Sequence, residues 1–396
     1  MAKASSPALA LPAELLLEIV ARSDAATFMR CTAAGKSLRR DVLSPAFLRR
    51  VCRAPDGIFP ARLLGHLDKA FTLVHPATPA AVSLASNHLA PSVSRVAAGL
   101  LEQYKPVTSR GGLVLLERRA VDDTQQPRAG RRRADELCVY NPTTGDRAFL
   151  PFQPDIGGDT DRSRHNYTYV LLTAADGVVG GSFLLLVADV KGLEHPSGYN
   201  RVQTVSSDAG GQWGPVTIAD APSNKWSMLL KRHKAGVVLG GVVHWLVYSG
   251  KYILTYDVMG TATAGMIKLS VDHHHLFACH CRLGSWPDGR LSLFGVEGSR
   301  VSVWVLSGGG WARQAAVETM ANFGFYHNFR FVSSDDYRSS VALLRASSVG
   351  CGLGDFFTVD METTEVRRIE EVSGILYEVD VPSWLSTMKT FKSKYF

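Results

Sequence analysis

A strand–turn–strand pattern recurs along the chain and limits the folds that the chain can adopt. In each occurrence an alternating or β-branched stretch leads into a small polar turn and then into a second such stretch. The first strands end at Tyr140, Val205, Tyr256, Leu306 and Val359, so successive repeats lie 65, 51, 50 and 53 residues apart. Further apolar strands precede most of these hairpins. Four strands in about 50 residues match the length of one propeller blade.

Radial closure of such repeats hides the sheet edges that separate sheets would expose. The sequence therefore predicts a β-propeller of about six blades, with two stacked β-sandwiches as the alternative fold. Five hairpins are visible directly. The sixth blade is expected to combine residues 71–74, residues 112–116 and C-terminal residues 377–379.

A short helical region is predicted over residues 10–53, ahead of the β-rich part. Pro12 suits the first turn of a helix, and Glu14 lies near the positive end of the helix dipole. Apolar residues then form one broad stripe. A second helical stretch is expected at about 25–38 and a third at 45–53. The fold class is thus α+β and multidomain, because a small helical region precedes a large all-β domain.

This N-terminal stretch resembles the F-box, in the form found in plant F-box proteins with a C-terminal β-propeller-like, kelch-type F-box-associated domain. The matching residues are Leu11, Pro12, Glu14, Leu15, Leu16, Glu18, Ile19, Val20 and Arg22, with Met29, Cys31, Lys36 and Leu38 downstream. In the β-rich part, residues 141–145 and 377–385 are similar to that associated domain. The chain has Ser23-Asp24 where the family usually has Leu-Pro, and its first tryptophan is Trp213.

The resemblance implies a substrate-receptor subunit of a Skp–cullin–F-box ubiquitin ligase, with a protein substrate bound by the propeller. The implied adaptor-binding residues are Leu11, Pro12, Leu15, Leu16, Ile19, Val20, Met29 and Leu38. Such a subunit needs no catalytic residue, cofactor or metal of its own. The alternative function is a non-catalytic propeller binding module that acts without ubiquitin transfer. A propeller enzyme is a third hypothesis, although the sequence contains no nucleophile motif.

Charge is unevenly distributed along the sequence. Residues 1–53 contain nine Lys and Arg and four Asp and Glu, a net charge of +5 out of +7 for the whole chain. A basic helical region fits an acidic protein partner, such as the adaptor of the resembled family. Nucleic acid would also attract lysine and arginine. No zinc-finger spacing or RNA-binding signature is present, so we expect no nucleic-acid partner.

Two clusters and a set of aromatic residues suggest further sites. Metal-ligating side chains concentrate at residues 273–275 and 279–281, for which a surface loop with buried cysteine is favoured over zinc binding. A basic run at 128–133 is predicted to be a solvated loop rather than a nuclear-localisation signal. Candidate substrate anchors, for which core packing is favoured, are Trp213, Trp226, Trp245, Trp286 and Trp311.

The expected domain layout has a flexible tail over residues 1–9, the F-box over 10–53, a connecting segment with a first strand and a helix over 54–104, and the propeller over 105–396. The six cysteines show no disulfide-like spacing, which favours a cytoplasmic or nuclear location. Residues 236–250 form an uncharged stretch shorter than the roughly 20 residues of a membrane helix. We therefore expect no membrane association.

Overall fold

A computed structural model gives the fold of most of the chain. It describes residues 11–52, 57–97, 99–119, 137–150, 156, 167–178, 182–189, 199–208, 210–220, 236–246, 252–260, 262–269, 281–297, 300–319, 328–332, 340–347, 354–370 and 373–387. The α-helices are α1 (Ala13–Ala21), α2 (Ala25–Ala34), α3 (Lys36–Val42), α4 (Pro45–Val51), α5 (Pro79–Leu84), α6 (Ala90–Ala97), α7 (Leu100–Gln103) and α8 (Val381–Thr387). A π-helical turn, Ala85–Leu89, joins α5 to α6.

Six β-sheets make up the rest of the described chain, and we refer to them as blades 1–6. Blade 1 contains β3 (Tyr104–Arg110), β4 (Leu113–Arg118), β5 (Leu137–Tyr140) and β6 (Arg147–Leu150). Blade 2 contains β7 (Tyr167–Thr173), β8 (Phe183–Asp189), β9 (Tyr199–Ser206) and β10 (Thr217–Asp220). Blade 3 contains β11 (Val237–Leu239), β12 (Val242–Leu246), β13 (Tyr252–Asp257) and β14 (Ala264–Lys268).

The remaining blades complete the set. Blade 4 contains β15 (Cys281–Ser285), β16 (Leu291–Glu297), β17 (Arg300–Ser307) and β18 (Gly310–Glu318). Blade 5 contains β19 (Asn328–Phe331), β20 (Val341–Ser347), β21 (Asp355–Asp360) and β22 (Val366–Ile369). Blade 6 has three strands in the order β2 (Phe71–His75), β1 (Arg62–Leu67) and β23 (Ile375–Asp380). The fold is a six-bladed β-propeller.

Each four-stranded blade is an antiparallel meander whose spatial order follows the chain. The five hairpins predicted from the repeat are confirmed as β5–β6, β9–β10, β13–β14, β17–β18 and β21–β22. The predicted sixth blade is only partly right. Residues 71–74 and 377–379 do lie in blade 6, whereas residues 112–116 belong to β4 in blade 1. The strand that replaces them, β1, carries little alternation because five of its six residues are buried.

Glycine pairs form two of the tightest turns between strands. The β3–β4 and β11–β12 loops each contain only two residues, Gly111-Gly112 and Gly240-Gly241, and all four have positive φ between 56° and 80°. A two-residue hairpin with positive φ at both positions matches the right-handed twist of its strands. Other residue types would be strained there.

Apolar side chains from neighbouring blades pack together and form the propeller core. Blades 2 and 3 share one cluster, in which Val170 and Leu186 pack with Val243 and Trp245. Further clusters join blades 1 and 2, blades 3 and 4, and blades 4 and 5. Blades 2, 3 and 4 each belong to two of these clusters and so bury both faces, which accounts for the nearly continuous burial along strands such as β16 of blade 4.

A buried ion pair connects three blades near the β3–β4 turn. Arg110 of blade 1 binds both carboxylate oxygens of Asp176 in blade 2, with Nη2–Oδ1 and Nε–Oδ2 distances of 2.6 and 2.9 Å. The same Nη2 donates to the carbonyl oxygen of Val238 in blade 3 at 2.8 Å. Thr173 adds its backbone N–H to the Asp176 carboxylate at 3.0 Å. This geometry is the bidentate form that arginine makes with carboxylates.

The chain divides into two compact units. One contains the described residues up to Gly65, Ala70–Val96 and the described residues from Glu378 onward. The other contains His66–Lys69 and Ala97–Tyr377. Within the first unit, α8 packs against α4 and α2 contacts α5. The N-terminal helices are therefore completed by segments far away in the sequence.

The helical region departs from the predicted bounds at two points, Gly35 and the end of the last helix. The stretch expected at 25–38 is divided at Gly35, whose backbone is extended between α2 and α3. The last helix begins at Pro45 as predicted and ends at Val51. The short helices at 13–51 fit a small helical region, while the predicted tail over residues 1–9 lies outside the described residues.

Candidate functional site

Helix α1 presents the largest row of exposed apolar side chains in the described part of the chain. It begins after Pro12, which forms the N-cap, and Glu14 lies in its first turn. Glu18 forms ion pairs with Arg22, at 2.7 Å, and with Arg50 of α4. The hydrogen bond from Arg50 lowers the pKa of Glu18 below its ordinary value. These contacts fix the helix while leaving one side uncovered.

Three side chains make up this uncovered side, which we call the exposed apolar face. Leu15 and Ile19 are four residues apart and so lie on one side of α1, and Leu11 lies two residues before the helix begins at Ala13. Their exposed fractions are 52%, 51% and 56%. Pro12 is also exposed, and Leu16 and Leu38 are half-buried. A contiguous exposed apolar surface is typical of a protein–protein contact.

Two of the predicted adaptor-binding residues are buried. Val20 and Met29 are 3% and 7% exposed, and their contact with an adaptor stays a prediction. Their neighbour Phe28 is fully buried and meets Phe59 edge-to-face, with 4.9 Å between the ring centroids. The sequence pattern identified the apolar residues but did not separate the inner from the outer side.

The Ser23-Asp24 pair has a local structural role. Asp24 is the N-cap of α2, and its carboxylate accepts hydrogen bonds from the backbone N–H and the hydroxyl of Thr27, both at 2.9 Å. The Ser23 hydroxyl donates to the carbonyl oxygen of Val20 at 2.8 Å. Together they form the connection between α1 and α2.

Exposed cations surround the helical region. Exposed basic residues of α1–α4 and their connections are Arg22, Arg30, Lys36, Arg40, Arg49 and Arg50. Glu14 and Asp24 are the exposed acidic residues in the same described stretch, 11–52. An apolar face on a basic helical region fits an apolar partner surface that carries carboxylates.

The predicted substrate-anchor tryptophans that the structure describes pack in or against the clusters between blades. Trp245 and Trp286 are 1% and 7% exposed and belong to clusters between blades. Trp213 and Trp311 are half-buried, and each packs against a core cluster. Trp226 lies outside the described residues. Core packing, the interpretation favoured from the sequence, is confirmed for Trp245 and Trp286, while Trp213 and Trp311 lie at the margin of the core.

Several features predicted from the sequence fall outside the residues that the structure describes. The basic run at 128–133 and the His and Cys residues at 273–275 and 279–280 lie outside the described residues, while Cys281 is buried in β15. Within the described ranges, no group of three or more His, Cys, Asp or Glu side chains is arranged to hold a metal ion. None of the helices described is both long and apolar enough to cross a membrane.

The class of protein that this architecture defines is a β-propeller that carries N-terminal helices with an exposed apolar face. A family model matches residues 72–391, and the chain belongs to this family, described as a domain of unknown function (DUF7595). No curated protein matches the sequence.

Solved structures with partial similarity include propellers. The β-propeller domain of the trilobed protease from Pyrococcus furiosus is 9% identical, with 67% of this chain and 71% of that chain covered and a TM-score of 0.33. The β-propeller domain of Cps50 (Swd1) from Myceliophteria thermophila is 12% identical, with coverages of 64% and 79% and a TM-score of 0.30. A protein from Lactobacillus plantarum is 12% identical, with coverages of 79% and 82% and a TM-score of 0.32.

Proposed function

We propose that this protein is a substrate-receptor subunit of a Skp–cullin–F-box ubiquitin ligase, acting in the cytoplasm or nucleus. The N-terminal helices bind a Skp-type adaptor, and the propeller binds the protein substrate. The observation that carries the proposal is the exposed apolar face of Leu11, Leu15 and Ile19 on a helix that begins with the F-box-like sequence.

Burial of this face provides the driving force for adaptor binding. Removing an apolar side chain from water stabilises an association by about 25 cal/mol for each Å² buried. Three half-exposed large side chains provide apolar surface for this contact, and the exposed cations of the same helical region favour an acidic adaptor.

The receptor contributes to ubiquitin transfer by placement. Binding the substrate to the same assembly as the charged ubiquitin carrier raises the local concentration of a substrate lysine at the reacting thioester. No side chain of this chain takes part in the covalent chemistry in this proposal. The protein is accordingly a non-catalytic subunit, and it requires no cofactor.

The alternative is a propeller binding module that acts without ubiquitin transfer. In both hypotheses the propeller binds a protein. In the alternative, the N-terminal helices bind no adaptor. The two functions differ in a single measurable property, which is specific binding of a Skp-type adaptor through α1.

Co-purification of the full chain with a purified plant Skp-type adaptor tests the proposal. We expect a one-to-one complex that the Leu15→Asp, Ile19→Asp double variant does not form, because two carboxylates would then be buried against an apolar surface. Val82→Asp is the matched control, since Val82 is an exposed apolar residue of α5 with 47% exposure. It should leave binding unchanged.

Failure of the folded wild-type chain to bind the adaptor would contradict the proposal and favour the binding module. Equal loss of binding in the double variant and in Val82→Asp would also contradict it, since the contact would then not be specific to α1. Circular dichroism of each variant confirms that its helices remain folded.

A further inference from the structure

The outermost strand of blade 4 is longer than the outermost strands of the other four-stranded blades. β18 has nine residues, whereas β6, β10, β14 and β22 have four or five. β18 is hydrogen-bonded to β17 on one side and is the last strand of its sheet on the other side. An edge strand directs about half of its backbone N–H and C=O groups away from its neighbour. We call this outer side of β18 the free edge.

The free edge is accessible over most of its length. Residues 311–317 make their backbone hydrogen bonds with β17, and none of the described residues forms a further hydrogen bond with them. Ala312, Arg313, Gln314 and Ala316 are all exposed. The outward backbone groups of this stretch are therefore available to an added strand.

The composition of β18 does little to prevent such pairing. Native edge strands are commonly protected by short length, charged side chains or proline. β18 contains no proline, and Arg313 is the single charged residue between positions 310 and 317. By contrast, two of the four residues of β22 are arginines. The small side chains of Ala312, Ala315 and Ala316 leave room for larger cross-strand neighbours on an added strand.

A β-bulge in the middle of β18 sets the direction of Arg313. Val303 and Trp304 of β17 pair with Ala315 and Arg313, so Gln314 is the additional residue. Pairing with β17 is regular on both sides of the bulge. The extra residue shifts the alternation, and Arg313 therefore lies on the same face as residues 316 and 318 instead of the opposite face.

Arg313 supplies the uncompensated charge of the free edge. Glu318, on the same face, is paired with Arg300 at 2.5 Å. Within the described ranges, the exposed Arg313 side chain forms no ion pair, hydrogen bond or ring contact. An acidic side chain beside Arg313 on an added strand would form a stabilising cross-strand pair. Pairing with β18 of a second copy, centred on Gln314, would instead bring two Arg313 side chains near each other, and like charges there are destabilising.

We infer that the free edge of β18 binds an extended segment of the protein substrate as an additional β-strand, with an acidic residue of that segment beside Arg313. This inference rests on the proposed function, because it specifies how the propeller binds its substrate. Backbone hydrogen bonds to β18 supply the affinity. Arg313 and the alanine-lined positions supply the selectivity.

A positional peptide array probed with the full-length chain tests the charge preference. Ten-residue peptides, each with one fixed position and mixtures elsewhere, are probed with the wild type, Arg313→Glu and Arg147→Glu. The wild type should select aspartate or glutamate at a fixed position. Arg313→Glu should lower this selection about tenfold, because a repulsion replaces an attraction. Arg147→Glu is the matched control and should retain it, since Arg147 is an exposed arginine on β6, the outermost strand of blade 1.

Binding as an added strand has a second, independent signature. One selected peptide is resynthesised with a single N-methyl group at each position in turn. Binding should weaken at every second position, because alternate N–H groups of an added antiparallel strand point towards β18. Hydrogen exchange of the β18 amides should slow when this peptide is bound, whereas exchange of the β22 amides should not change.

Three results would each overturn the inference: no acidic preference in the wild type, no alternation on N-methylation, or β18 amide exchange that the peptide leaves unchanged. Protection of the β18 amides that rises with protein concentration in the absence of peptide would also overturn it, in favour of pairing with a second copy. Arg313→Gln replaces Arg313→Glu if the latter lowers the urea midpoint. Adaptor co-purification of the same variants is scored separately, since α1 is untouched and a failure there concerns the proposed function alone.

Discussion

Asp176 shows how a single buried residue connects parts of the chain that the sequence keeps apart. Its side chain is 0% exposed and that of its partner Arg110 is 9% exposed, and the two residues are 66 positions apart. Neither residue lies in a motif, and Asp176 follows a strand as many surface turn residues do. The pairing follows only from the placement of blade 1 beside blade 2, so no local pattern could have predicted it.

The Asp176–Arg110 pair gives a stability prediction. Asp176→Asn should lower the unfolding free energy by about 3–5 kcal/mol at pH 7, because it leaves the Arg110 charge buried without its counter-charge. Urea denaturation measures the change. Glu318→Gln is the control and should have little effect, since Glu318 and Arg300 pair at 2.5 Å with 56% and 45% of their side chains exposed.

The same pair fixes the sign of the pH dependence. Burial raises the pKa of Asp176, but Arg110 and Thr173 lower it by more, so the pKa lies below its ordinary value. Stability from this group is therefore present above the unfolded pKa of about 3.9 and is lost as the pH falls through the folded pKa. The difference between wild type and Asp176→Asn should shrink below about pH 4. A difference that stays constant down to pH 2 would contradict this role.

At the scale of elements, the strands were easier to predict than the helices that complete the first unit. Alternating residues and polar turns identified five hairpins, because their strands pair with sequence neighbours. Helix α8 has only seven residues and contains Pro382, so it has little periodicity of its own. Its burial depends on α4, more than 300 positions earlier. For the same reason the sequence could not separate buried Val20 and Met29 from exposed Leu15.

Helix α8 should therefore stabilise the N-terminal helices. Its buried residues are Val381, Trp384 and Leu385, and the Val381 N–H donates to the carbonyl oxygen of Ala61 at 3.1 Å. Leu385→Ala should cost about 2–5 kcal/mol, the range for truncating a buried leucine. Hydrogen exchange of the α4 amides should accelerate. Ser383→Ala, at an exposed position of α8, is the control. Unchanged exchange in α4 would show that α8 does not support it.

At the scale of the whole molecule, the strands of blade 6 come from regions far apart in the sequence, whereas the net charge is concentrated in one contiguous region. Blade 6 takes two strands from residues 62–75 and one from 375–380, so its composition depends on both ends of the propeller sequence. The sequence correctly placed residues 71–74 and 377–379 in the sixth blade, but it gave that blade residues 112–116 in place of β1. Charge, in contrast, can be counted from the sequence directly. Residues 1–53 hold +5 of the net +7, which leaves +2 for the other residues.

This charge distribution predicts how adaptor binding responds to salt, if the proposed function holds. Long-range attraction accelerates association and is screened by ions, whereas burial of Leu15 and Ile19 mainly slows dissociation. Stopped-flow association with the adaptor should slow at least about tenfold between 0.05 and 0.5 M salt, with a nearly constant dissociation rate. Arg49→Glu should reduce the association rate at low salt, whereas Arg313→Glu, the same charge change in blade 4, should reduce it less. Equal effects of the two variants would mean that the net charge of the chain, rather than the basic residues of the helical region, directs the encounter.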